Sequence, residues 1–157
     1  MFIRTIASSS NGNSTYIYNE DTHIIVDCGI AAREILAKSQ RKTFDAIFIT
    51  HGHSDHIKSA GALGRKTKSP VYSLPSYLNL KASKFKNCST TPIDVTQTYQ
   101  IGSIEVKPFS TLHDSMHGSV GFTFKDADSK FCFITDTGSI SRLMKVTIAD
   151  CDSYFME

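Results

Sequence analysis

Paired cysteines are the first thing this chain lacks: its four cysteines, Cys28, Cys88, Cys132 and Cys151, are scattered singly, with no Cys-x-x-Cys spacing. Cys28, Cys132 and Cys151 lie in or beside apolar runs, where a free thiol serves as a small core residue. No apolar run approaches the ~20 residues needed to span a bilayer. No signal-peptide pattern opens the chain, because polar Ser8-Ser9-Ser10-Asn11 soon interrupts the first apolar run. These absences predict a reduced, cytoplasmic protein without a membrane segment. Charge of one sign is also scarce: a net charge of +2 does not by itself advertise nucleic-acid binding. There is no low-complexity tract, and no Ser-His-Asp or Cys-His constellation offers a side-chain nucleophile.

What remains is ordinary globular composition, 40% hydrophobic and 20% charged over 157 residues. That length predicts a single domain, residues 1–157, burying roughly two-thirds of its unfolded surface. Lys and Arg gather at Arg41-Lys42, Arg65-Lys66-x-Lys68 and Lys81-x-x-Lys84-x-Lys86. Such clusters are more often solvated faces than phosphate tracks. If they line one groove leading to His53, they support a nucleic-acid substrate; if they scatter, they do not.

The chain is organised around Thr50-His51-Gly52-His53-Ser54-Asp55-His56, which follows the apolar run Ala46-Ile47-Phe48-Ile49. A strand delivers a loop carrying three imidazoles and a carboxylate. His51 and His53 are two apart, so an extended backbone points both rings to one side. Gly52 and Ser54 are small and leave room for a metal and its waters. A turn from loop into helix at Asp55-His56 aims both side chains next to the first pair. Imidazole plus carboxylate is the ligand set of zinc, iron or manganese.

Strands are predicted at Phe2 to Ala7, Thr15 to Tyr18, His23 to Asp27 and Pro70 to Ser73. Hairpins follow at Thr98 to Ile101 with Ile104 to Phe109, and at Val120 to Phe124 with Lys130 to Ile134. Helices are predicted over Ala31 to Ser39, Ile57 to Lys68, Leu74 to Leu80 and Ser139 to Val146, the last with Ser139 as N-cap. The segment Lys81 to Asp94 yields no assignment. Ser153 to Glu157 begins a last strand.

With those residues in place, the chain resembles the metallo-β-lactamase fold family, a large group of mostly dinuclear metallohydrolases whose signature is His-x-His-x-Asp-His after a strand. It looks most like the WalJ/YycJ (VicX)-type branch, regarded as metal-dependent DNA exonucleases. The resemblance implies an α/β fold, an αββα sandwich of two mixed sheets flanked by helices. Asp27-Cys28-Gly29 resembles the family's first motif, in which the Asp braces the His loop. The Ser8 to Ser14 loop resembles one that borders the active site, with Ser9 where the family has Gly, and nominates Asn11 and Asn13 as substrate contacts. His113, in Leu112-His113-Asp114, matches the third motif, and Asp136, in Thr135-Asp136-Thr137-Gly138, the fourth. His117, four residues after His113, is a further substrate-side candidate.

In the family's arrangement His51, His53 and His113 would hold one metal, Asp55 and His56 the other, with Asp136 and a hydroxide bridging. Two cations about 3.5–4 Å apart acidify that water and clamp an in-line phosphoryl displacement. Asp55, Asp136 and His113 are then the catalytic candidates, and His113 or His117 could protonate a leaving group. The chain departs from the family at its end, stopping before a Glu-Ser-Asn-His-Asp-like segment and a later His that ligates the second metal. This implies an incomplete domain, two divalent ions of which the second is weakly held, and a sheet face left uncovered that invites homo-oligomers. The expected function is a metal-dependent phosphodiesterase or nuclease with DNA as the favoured substrate. Hydrolysis of a thioester, lactam or cyclic phosphodiester, and an inactive metal-binding fragment, are the alternatives.

Overall fold

The computed structural model describes residues 1–113 and 115–157. Strands β1 (Phe2–Ala7), β2 (Ser14–Tyr18) and β3 (His23–Val26) form an antiparallel meander. Onto β3 the sheet adds β4 (Ala46–Phe48), β5 (Val71–Ser73) and β6 (Thr90–Pro92), all parallel. The crossovers between them carry helices α1 (Ala32–Ser39), α2 (Ser54–Ile57), α3 (Ala60–Thr67), α4 (Pro75–Leu80) and α5 (Ala82–Phe85). A second sheet runs in the order β11-β10-β9-β8-β7, from β7 (Tyr99–Ile101), β8 (Ile104–Ser110), β9 (Val120–Lys125), β10 (Lys130–Ile134) and β11 (Ser153–Met156). It is antiparallel except for β10 with β11, which flank helix α6 (Arg142–Ile148) in sequence.

The layering follows from alternation along the strands. On β3 and β4, Ile24, Val26 and Phe48 face the second sheet, where they meet Val106, Phe122, Phe124 and Phe133. Their neighbours Ile25, Ile47 and Ile49 face the other way, against Ile35 and Leu63 of α1 and α3. Buried on both sides, these strands read as unbroken apolar runs, as parallel strands do. Met144 and Ile148 of α6 cover Cys132 and Ile134 on the far face of the second sheet. The result is the αββα sandwich that the family resemblance implies. Among the described residues, no helix is long and apolar enough to cross a membrane.

Two helices depart from their predicted extents. The helix after the histidine loop is broken into α2 and α3, because Ser59 turns its backbone N–H to the Cys28 carbonyl (2.9 Å) and its hydroxyl to the Ile30 carbonyl (2.6 Å). Helix α6 starts two residues later than expected: Ser141, not Ser139, caps it, its hydroxyl accepting from the Met144 N–H at 3.1 Å. Ser139 instead forms a bridge with Leu112. The unassigned Lys81 to Asp94 segment holds α5 and β6, both too short to leave a periodic signal.

Candidate metal centre

Strands β3, β4, β8 and β10 run out toward one rim of the sandwich, and each delivers a polar side chain just past its end. After β3 comes Asp27, held in the left-handed region at φ 62°. A non-glycine residue there stores strain that its surroundings must overcome. Here they do: Asp27 Oδ1 accepts from the Thr50 N–H at 2.9 Å, and Oδ2 accepts from the Thr50 hydroxyl at 2.8 Å and from His56 Nδ1 at 2.7 Å. Asp27 therefore ties the ends of β3 and β4 to helix α2.

This arrangement sets the tautomers. Thr50 spends its one hydroxyl proton on Asp27, so its oxygen accepts from His51 Nδ1 at 3.0 Å. His51 Nε2 is left as a lone pair facing the rim. His56 likewise commits its Nδ1 proton to Asp27 and turns Nε2 outward. Thr50 closes this chain, and sequence reasoning gave it no role; a hydroxyl residue between a strand and a histidine is too weak a signal.

His53 sits extended at the N-terminus of α2, φ −65° and ψ 149°, which brings Nδ1 within 3.0 Å of His51 Nε2. His113, beyond β8, sets its Nε2 3.2 Å from the same His53 nitrogen. Three imidazole nitrogens from two strand ends thus face a common point. They cannot all donate to and accept from one another, whereas a divalent cation accepts all three lone pairs. By the chemistry of its donors this set fits such an ion, so His51, His53 and His113 could hold a metal.

A second group adjoins it. His56 Nε2 lies 3.0 Å from Asp136 Oδ2 and 3.3 Å from Asp55 Oδ2. Ligand atoms of His51, His56 and Asp136 fall within 4.8 Å of one another, so His51 belongs to both groups. Asp136 stands at φ 51° after β10, and its turn is tied to the His113 segment by the Gly138 N–H donating to Leu112 O at 2.9 Å.

Other sequence candidates fall differently. Asn13 is buried, its amide nitrogen 3.2 Å from Asp55 Oδ2 and 3.0 Å from His56 Nε2, so it positions the ligand candidates themselves. Asn11 is exposed on the same loop. His117 is exposed too, and lines a cavity of about 380 Å³ with Gly52, His53, Tyr77, Lys81 and Met116. Asp114 of the His-Asp pair lies outside the described residues. The space at Gly52, expected to admit a metal and its waters, is taken by Tyr77, whose ring would lie 2.1 Å from a Cβ at that position.

Burial, then the neighbouring His56, His113 and His53, push His51 down to about 2. Burial alone would also lower His56, but the Asp27 hydrogen bond and charge, with Asp136 and Asp55, raise it above its ordinary value. In metal-free protein, His51 therefore stays neutral while the unfolded chain takes up a proton below pH ~6.5. Stability is expected to fall by about 2 kcal/mol between pH 6.5 and 5 on this account. The stability contributed by His56 is complete below ~6.5 and is lost only as pH rises through its folded value, so it leaves that slope unchanged. Urea midpoints of chelated wild type and His51→Asn at the two pH values isolate the effect, which the variant lacks.

Comparison with known proteins agrees with this fold. Residues 9–150 match the model of the metallo-beta-lactamase superfamily. Exodeoxyribonuclease WalJ of Streptococcus pneumoniae is 32% identical over 97% of the chain, and exodeoxyribonuclease YycJ of Bacillus anthracis is 32% identical over 97%. The chain spans 60% of the length of each. The metallo-beta-lactamase fold protein YhfI of Bacillus subtilis superposes with a TM-score of 0.77 over 97% of this chain and 69% of its own, at 15% identity, a likeness of fold. The chain belongs to the metallo-beta-lactamase superfamily.

Proposed function

We propose that this chain is a metal-dependent phosphodiesterase, a nuclease whose favoured substrate is DNA. The observation that carries this reading is the convergence of His51, His53 and His113 beside His56 and Asp136 at one rim of the sandwich. The exodeoxyribonuclease names of two relatives support the phosphodiester class. His51, His53 and His113 would hold the first divalent ion; Asp55, His56 and Asp136 would hold a second. Bound there, zinc, manganese or iron would polarise a phosphoryl oxygen and acidify water.

The chain's own residues supply the rest. Asp27 and Thr50 fix which imidazole nitrogens face inward, and Asn13 holds Asp55 and His56 in place. His53 is exposed and opens on the cavity that His117 lines, so substrate enters from that side. His117 is the candidate on that side for protonating a leaving oxygen. We read residues 1–157 as one domain of a cytoplasmic protein. Exposed Leu143 and Val146 on α6, with Tyr154 and Met156 on β11, support a homo-oligomer built on that side.

In metal-supplemented cleavage of labelled DNA, the His53→Ala, Asp55→Ala double variant is expected to lose more than ~100-fold of the wild-type rate. Equal cleavage by the two would overturn the hydrolase reading. The donor sets are unequal, three imidazoles against one imidazole and two carboxylates. Calorimetric titration is therefore expected to find one tight site and a second weaker by about 10-fold or more. Two equally tight sites would contradict the assignment.

A further inference from the structure

Between Asp55 and Asp94 the chain contains no acidic residue. Residues 56–93 carry seven of its 17 Lys and Arg and none of its 15 Asp and Glu, so the rest of the chain is net acidic. The fold concentrates this charge further. Arg65 of α3 donates through Nη1 to the carbonyls of Lys84 at 2.9 Å and Lys86 at 3.0 Å, and Cys88 Sγ donates to Gly61 O at 3.1 Å. Helix α5 is thereby laid alongside α3, and two of the three basic clusters become one surface. Arg65, Lys66, Lys84 and Lys86 are exposed on it, and none of them takes part in a salt bridge among the described residues. The third cluster is elsewhere: Arg41 lies near Tyr16 and His23.

This surface has a direction. Lys81, immediately before α5, lines the cavity of about 380 Å³ that Gly52 and His53 also line. Leu80 and Met116 stand in the same cavity, exposed at 60% and 91%. Cations along a face, ending at apolar side chains beside one more cation, match a strand of nucleic acid whose phosphates lie outside and whose last base turns in. We propose that the α3–α5 face is the track for a single-stranded nucleic acid, with phosphates on Arg65, Lys84 and Lys86 and the strand end entering at Lys81 beside His53. An anionic membrane would meet the same charges, but here the exposed apolar residues sit inside the cavity, not across the face. The proposal rests on the nuclease reading only for what happens at the strand's end.

The test is binding, measured without turnover. Full-length chain in excess chelator is titrated with a labelled oligothymidylate of about 20 nucleotides, longer than a single binding site, over a range of salt. Lys84→Gln with Lys86→Gln is expected to reduce the slope of log K against log salt by about 1.4, and affinity at low salt by about 10-fold. Lys107→Gln with Lys125→Gln, exposed on the second sheet, is expected to keep the wild-type slope. An unchanged slope in the first pair, an equal loss in both pairs, or wild-type binding to phosphatidylserine vesicles that the oligonucleotide does not displace would each overturn the track. Hydrolysis of bis(4-nitrophenyl) phosphate by metal-loaded wild type is assayed separately. If that fails while the slope changes as expected, the nuclease reading falls and the track stands; the opposite pair of results removes the track alone.

Discussion

Gly29→Ala is expected to unfold at markedly lower urea than wild type and to loosen further its hold on the second metal. A Cβ at position 29 would stand 1.6 Å from the Asp55 carbonyl oxygen, 2.4 Å from its carbon and 2.5 Å from the Asn13 nitrogen. All three are backbone atoms, so no rotamer change relieves the clash. The same atoms stitch three loops together: the Asn13 N–H donates to Asp55 O at 2.7 Å, Gly29 N–H to Asn13 O at 2.8 Å and Cys28 N–H to His56 O at 2.6 Å. To seat a methyl group the Asp55 turn must move off Asn13 and break at least one of these buried bonds. Overpacking and a lost hydrogen bond together cost about 3 kcal/mol or more. Because Asp55 and His56 move with that turn, affinity at the second site is expected to drop more than ~10-fold. Urea midpoints with and without metal, and a calorimetric titration, check both parts. A variant within ~0.5 kcal/mol of wild type would show that the close approach is dispensable.

Such packing is what the sequence least reveals. The loop from His51 to His56 was legible because its spacing is local: an extended pair followed by a helix entry fixes four side chains with no help from the rest of the fold. Most strand positions were legible for a similar reason, since alternation and turn residues are short-range signals. His113 and Asp136 were different. A lone His or an Asp-Thr-Gly at a strand end is ordinary, and both were found through resemblance to a family, not through any periodicity. Asn13 read as a loop residue open to substrate because its partner Asp55 is 42 positions away. Ser139 read as the cap of α6 by local chemistry alone; its bridge to the distant Leu112 takes it out of that role and leaves Ser141 to cap the helix. Helix α5 is one turn long and is held by Arg65, so nothing in its own sequence announces it. Gly52 was read as room for an ion because its neighbour in space, Tyr77, comes from α4, the fourth element after it along the chain.

Asp27→Asn is expected to weaken metal binding by 10- to 100-fold while removing no ligand. The asparagine oxygen can still accept from the Thr50 N–H, but its amide group then faces the Thr50 hydroxyl and His56 Nδ1, both of which donate to Asp27 in the native protein. Thr50 must turn its proton toward His51 Nδ1, and His56 Nδ1 must become an acceptor. Both rings then carry their proton on Nε2, the nitrogen that faces the metal centre, and each must be re-tautomerised before it can ligate. The loss of charge-assisted hydrogen bonds costs the metal-free protein a further 1.5–3 kcal/mol or so. Asp27→Ala is harsher. It leaves the Thr50 N–H and hydroxyl and the His56 Nδ1 proton without an acceptor in a buried site, and it places alanine at φ 62°. Breaking a buried pair in this way costs about 3–5 kcal/mol. The two variants separate brace from bulk: the asparagine protein should fold, with histidine ¹⁵N shifts reporting Nε2 protonation at positions 51 and 56, whereas the alanine protein should be hard to keep folded without metal. An Asp27→Asn protein with wild-type metal affinity and unchanged tautomers would mean that the His51 and His56 rings are oriented by packing alone.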